Sequence, residues 1–137
     1  MSRLLSFLLV GLFMTAHAAL PGIALRVDGL TGVGGELEFP SGGYHSWGAA
    51  VGERGYALFT RYYPGGGLSG LYSGTRFVLV RAPVEEVRFG LTGGGRLSFP
   101  PFSLRAEFGM MWRLSSSAGE APLFVPLWGV SLELGPF

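Results

Sequence analysis

From Phe102 to Leu114 the chain alternates almost without fault: Phe102, Leu104, Ala106, Phe108, Met110, Trp112 and Leu114 share one parity, and Ser103, Arg105, Glu107, Gly109, Met111 and Arg113 share the other. A strand points successive side chains to opposite faces, so this segment reads as a β-strand with one apolar and one polar face. Such a strand restricts the fold to two choices. With the apolar face inward it builds a soluble shell around a greasy core, and with the apolar face outward it builds a barrel surrounded by lipid.

The same period recurs along the chain and predicts about eight strands: 23–30, 33–39, 44–52, 55–63, 68–81, 84–92, 102–114 and 124–134. Most are separated by turn-forming clusters, Pro40-Ser41-Gly42-Gly43, Pro64-Gly65-Gly66-Gly67, Gly93-Gly94-Gly95 and Pro100-Pro101, as expected for an antiparallel up-and-down arrangement. Arg96 to Phe99 reads either as a ninth short strand or as part of a connection.

Sorting the strands by parity separates apolar from charged residues. One face collects Leu25, Val27, Leu37, Phe39, Trp47, Tyr56, Leu58, Tyr62, Phe77, Phe89, the Phe102 series including Phe108 and Trp112, and Trp128 with Val130 and Leu132. The other collects Arg26, Asp28, Glu36, Glu38, Arg61, Arg76, Glu86, Arg88, Arg105, Glu107, Arg113 and Glu133, interspersed with Gly, Ala and Ser. That second face holds six Arg and six acids. Balanced charges among small residues suit an enclosed, paired interior, because a buried charge needs a partner and Arg supplies a planar fork for carboxylates. A barrel of eight strands encloses only a modest core, too small for the aromatic side chains of the first face.

Composition supports this orientation. The chain has no Cys, and its basic residues are all Arg, with no Lys, Asn or Gln; charged residues are 14% of the total, against about 25% in an ordinary soluble domain. A genomic bias would account for the missing residue types but not for where the remaining charges fall. Without Cys, neither disulfides nor thiolate metal sites are available. Leaving out Arg3, nine Arg face nine acids, which gives no basic field to attract nucleic acid.

The first residues read as an export signal. Arg3 precedes an apolar run from Leu4 to Met14, and Ala16-His17-Ala18 has the small-x-small form of a signal peptidase site. The 11-residue run is short of the roughly 20 residues a spanning helix needs. Cleavage after Ala18 leaves 19–137 as a single β-barrel domain.

Taken together, the signal, the alternating strands, the apolar outer face, the charged lumen, the short turns and the terminal aromatic Phe137 resemble the small eight-stranded outer-membrane barrels of the outer-membrane protein A and X type. The resemblance implies a transmembrane barrel whose backbone hydrogen bonds close around the ring. It also implies interfacial girdles built from Tyr44, Trp47, Tyr62, Tyr63, Trp112 and Trp128. Partners implied are membrane lipids and an outer-membrane assembly machinery. The final strand departs from that pattern, since the parity of Phe137 picks out Gly135, Glu133 and Ser131 and the apolar series Leu134, Leu132, Val130 and Trp128 has the other parity.

Chemical signals are sparse. His45 and Ser46 are neighbours and so point to opposite faces, which excludes a simple catalytic pair. Glu36 and Glu38 share a face and suggest either an acid-base or Ca²⁺ carboxylate pair or, with so many lumen Arg residues, ion pairing. Gly32-Val33-Gly34-Gly35 and Gly93-Gly94-Gly95 lack the Lys-Ser/Thr and helix of a phosphate loop and read as turns or inward glycines. The sequence therefore predicts an all-β, antiparallel up-and-down transmembrane barrel without cofactor or metal. It also predicts a monomer set in a bacterial outer membrane, with an envelope role or a very narrow ion leak. A secreted or periplasmic soluble barrel binding an apolar ligand is the alternative, and a lipid-modifying barrel enzyme a weaker one.

Overall fold

The computed structural model of the chain describes residues 21–116 and 122–135. Eight antiparallel strands pair in chain order and close into a barrel: β1 (Gly22–Asp28), β2 (Gly32–Ser41), β3 (His45–Gly52), β4 (Gly55–Tyr62), β5 (Gly70–Val80), β6 (Glu86–Phe99), β7 (Phe102–Ser116) and β8 (Phe124–Leu134). Closure runs through β1 and β8, paired from Ile23 with Leu134 to Asp28 with Gly129. No strand edge is left open, so the ladder hydrogen bonds are satisfied within the ring. The signal-like residues 1–18 and the terminal Phe137 lie outside the described residues.

The two ends of the barrel differ. The chain enters at Pro21 and leaves at Gly135 on one end, the entry end, which also carries the β2–β3, β4–β5 and β6–β7 turns. The far end carries the β1–β2, β3–β4 and β5–β6 turns.

Period two places the faces. In β1 every second residue from Gly22 to Asp28 is buried while Ile23, Leu25 and Val27 are exposed, and β4 alternates in the same way. Among the described residues, no Asp, Glu or Arg lies on the outer face of any strand. The outer wall carries exposed Leu25, Leu58, Phe77, Leu91, Phe108 and Leu132.

Gly93-Gly94-Gly95, expected to separate two strands, instead lies inside β6, which continues to Phe99 and turns at Pro100-Pro101. The reason is steric. Gly94 faces the lumen, where a β-carbon would collide with the Ala106 carbonyl and stand 2.7 Å from the Tyr72 hydroxyl, so the missing side chain lets β7 approach and leaves room for the Tyr72 ring. Gly129 serves Arg26 similarly, since a β-carbon there would lie 2.8 Å from the guanidinium carbon. The one irregularity of register between β6 and β7 falls at Val87 and Arg88, a local bulge near the far mouth.

Candidate functional site

The lumen is filled by its own side chains, in layers. A charge network runs from the entry half through the middle and, along β1, to the far turn. Glu107, inward on β7, accepts from Arg26 Nη2 at 3.2 Å, Arg61 Nη2 at 3.2 Å, Arg76 Nη1 at 3.1 Å and the Tyr72 hydroxyl at 2.7 Å. Glu36 accepts from Arg61 at 2.8 Å and Arg76 at 3.0 Å and is also hydrogen-bonded by Arg105. Arg105 reaches Glu38 at 2.8 Å and Glu133 at 2.7 Å through one nitrogen, and Arg96 pairs with Glu133 at 2.7 Å. Asp28 closes the network near the far turn, receiving Arg26 Nε at 3.1 Å and the hydroxyl and backbone N–H of Thr31.

Five Arg (26, 61, 76, 96, 105) thus meet five carboxylates (28, 36, 38, 107, 133), all buried. Equal numbers matter, because charges taken from water are tolerated only when compensated and hydrogen-bonded. The guanidiniums also stack: Arg61 lies over the Phe59 ring at 4.0 Å and Arg76 over the same ring at 5.1 Å, covering their flat faces with a weakly polar partner. Tyr72→Phe is expected to lower stability by about 1.5–3 kcal/mol, the range for a hydrogen bond to a charged group. The denaturant midpoint of the folded barrel checks it, and a change under about 0.5 kcal/mol would mean that Glu107 gains nothing from the hydroxyl.

Both ends of this network are closed. Toward the far end, Ala50, Ala57, Val78, Val80, Met111 and Leu127 form a buried apolar layer, with Leu30 and Val125 against it. Toward the entry end, Tyr63, Leu68 and Tyr72 cluster over the charges, with the two tyrosine rings 5.2 Å apart. Leu68 has φ +50, a left-handed conformation that costs a non-glycine residue about 1–3 kcal/mol and is offset here by burial of its side chain.

The expected lumen residues occupy several environments. Arg26, Asp28, Glu36, Glu38, Arg61, Arg76, Arg105, Glu107 and Glu133 meet in the central network. Arg88 is buried beyond the apolar layer, bonded to Glu86 at 2.7 Å and to the Pro122 carbonyl at 3.0 Å, while Glu86 is half-buried. Arg113 is half-buried at the far mouth, opposite Arg88 in the ladder. On the outer wall, Tyr56, Tyr62, Phe108 and Trp128 are exposed, and Trp47 and Trp112 are half-buried against Phe39 and Phe124.

Tyr63, expected in the interfacial girdle, is instead fully buried, its hydroxyl donating to Glu38 at 2.9 Å. It follows Arg61 by two residues, and that parity carries it inward. Arg96, for which the sequence allows either a ninth short strand or a connection, lies inside β6 and is a member of the network, also donating to Ser103 at 3.1 Å and the Gly135 carbonyl at 2.7 Å. Its signal was its phase with Arg88. His45 lies outside with its ring 5.0 Å from that of Tyr62, whereas Ser46 lies inside on Glu38.

Among the described residues no three His, Asp or Glu side chains form a group able to hold a metal ion; the Glu36 and Glu38 carboxylates are taken up by guanidiniums. The chain matches no family model, no curated protein and no solved structure.

Proposed function

We propose that this chain is a small outer-membrane β-barrel with a structural role in the envelope, its apolar wall in lipid and its lumen closed to ions. The observation that carries the reading is the inverted distribution of polarity. An outer wall without Asp, Glu or Arg surrounds an interior built of paired Arg and carboxylate. In water the exposed aromatic and aliphatic wall would far exceed the few hundred Å² of contiguous apolar surface a soluble monomer tolerates. In hydrocarbon it is the favourable arrangement, since a closed ring satisfies every ladder group and the charges are kept from lipid. The centre of the barrel, where a soluble carrier would hold an apolar ligand, is taken up by Arg and carboxylate side chains, which argues against that reading. The separation of His45 from Ser46 argues against a lipid hydrolase using that pair.

Membrane fractionation of cells making the full chain tests the reading: the protein is expected to float with outer-membrane vesicles and to need detergent for release. Recovery in the soluble exported fraction without detergent would end it. The closed lumen makes a second prediction. With an apolar layer at one end and an aromatic cluster at the other, the barrel in planar bilayers is expected to pass no steady current, because ions entering a dry apolar constriction lose hydration without replacement. A sustained monomer conductance would show a water path through the network.

A further inference from the structure

Charge is absent from the turns at one end of the barrel. At the far end the turns expose Glu53, Arg81 and Glu85, with Arg54 half-buried. At the entry end the three turns, 42–44, 63–69 and 100–101, contain Gly, Pro, Ser, Leu and Tyr and no charged residue. The nearest ionic groups in the strands below, Arg61, Glu38, Arg96 and Glu133, point inward and are buried.

The apolar wall, moreover, does not stop short of this rim. Leu97 is 70% and Leu71 77% exposed, and Phe99 and Phe102 flank the Pro100-Pro101 turn, also exposed. Tyr44 stands exposed on the β2–β3 turn. A rim meant for water ordinarily carries charge, whereas Tyr, Pro and Gly with exposed Phe and Leu are what the boundary between headgroups and acyl chains accommodates.

We propose that the entry end is seated in the headgroup and glycerol layer of the bilayer, so that the barrel is held asymmetrically, with its charged far rim in water and the uncharged turns of its entry end covered by lipid. This rests on the membrane reading above. The partner is a lipid surface recognised by its apolar and ester chemistry. No Lys or Arg on the entry turns is available for an anionic headgroup, so the seat does not depend on acidic lipid.

Because the chain has no Cys, single-cysteine variants report each position separately. Gly43→Cys and Ser69→Cys probe the entry rim, where a side chain at 43 meets open space. Glu85→Cys probes the far rim and Phe108→Cys the outer wall. Each variant of the full mature barrel is labelled with an environment-sensitive nitrobenzoxadiazole dye and reconstituted in phosphatidylcholine vesicles with iodide on both sides. The expected result is severalfold weaker iodide quenching and blue-shifted emission at 43, 69 and 108 relative to 85. It should be unchanged when a fraction of the lipid is replaced by phosphatidylglycerol. If 108 is shielded and both 43 and 69 are quenched like 85, the asymmetric seat is wrong and the membrane reading stands. A probe at 108 as open to iodide as that at 85 overturns both.

Discussion

Glu107→Ala is expected to destabilise the barrel by about 3–5 kcal/mol, the cost of removing one partner from a water-excluded ion pair. Three guanidiniums and the Tyr72 hydroxyl converge on this carboxylate. Its removal leaves Arg26, Arg61 and Arg76 crowded around the remaining acids with no water to screen them. Mutual repulsion then adds to the desolvation of unpaired N–H groups. The same logic predicts recovery when a charge of each sign is removed. In Glu107→Leu combined with Arg76→Met, the other carboxylate bound by Arg76, Glu36, keeps Arg61 and Arg105. The double variant is therefore expected to be more stable than Glu107→Ala, since apolar side chains of similar volume replace a buried pair at little net cost. Equilibrium unfolding in lipid vesicles reads both. A loss below about 0.5 kcal/mol for Glu107→Ala would mean that water reaches the network and screens it.

How far the sequence discloses this site depends on which property is asked. The inward set follows from parity alone: Arg26 and Asp28, Glu36 and Glu38, Arg105 and Glu107 sit at alternate positions of segments that can only be strands. Their partners do not follow. That Arg26 meets Glu107, 81 residues away, depends on how a tilted sheet closes, and strand tilt is a property of the whole ring. Arg96 and Gly93-Gly94-Gly95 show the opposite difficulty. Three glycines ordinarily break a strand, and the close approach of the Ala106 carbonyl on β7 and of the Tyr72 ring from β5 is what gives the middle one a packing role. The apolar layer was legible in principle. Val78 and Val80 continue the phase of Arg76, and Met111 that of Glu107, all toward the same end. Seeing it requires strand direction as well as parity.

Phe108 decides which medium meets the outer wall. It sits in the middle of β7, opposite Gly93 and Trp128, and is 68% exposed. If the wall is in lipid, Phe108→Arg carries a charge toward the bilayer midplane and is expected to cost about 2–4 kcal/mol. Phe108→Leu should be nearly silent, because acyl chains adapt to either side chain and leave no cavity. If the wall is instead in water, Phe108→Arg exchanges an exposed aromatic for a hydrated cation and should fall within about 0.5 kcal/mol. The two media thus give distinct patterns from one position. Unfolding midpoints of Phe108→Arg and Phe108→Leu in vesicles separate them, and a harmless Phe108→Arg in lipid would sink the membrane reading even if the fold is intact. Glu107 next to it makes the comparison sharper. Its side chain is on the other face of the same strand and pairs with buried Arg, so it should be sensitive to losing charge where Phe108 is sensitive to gaining it.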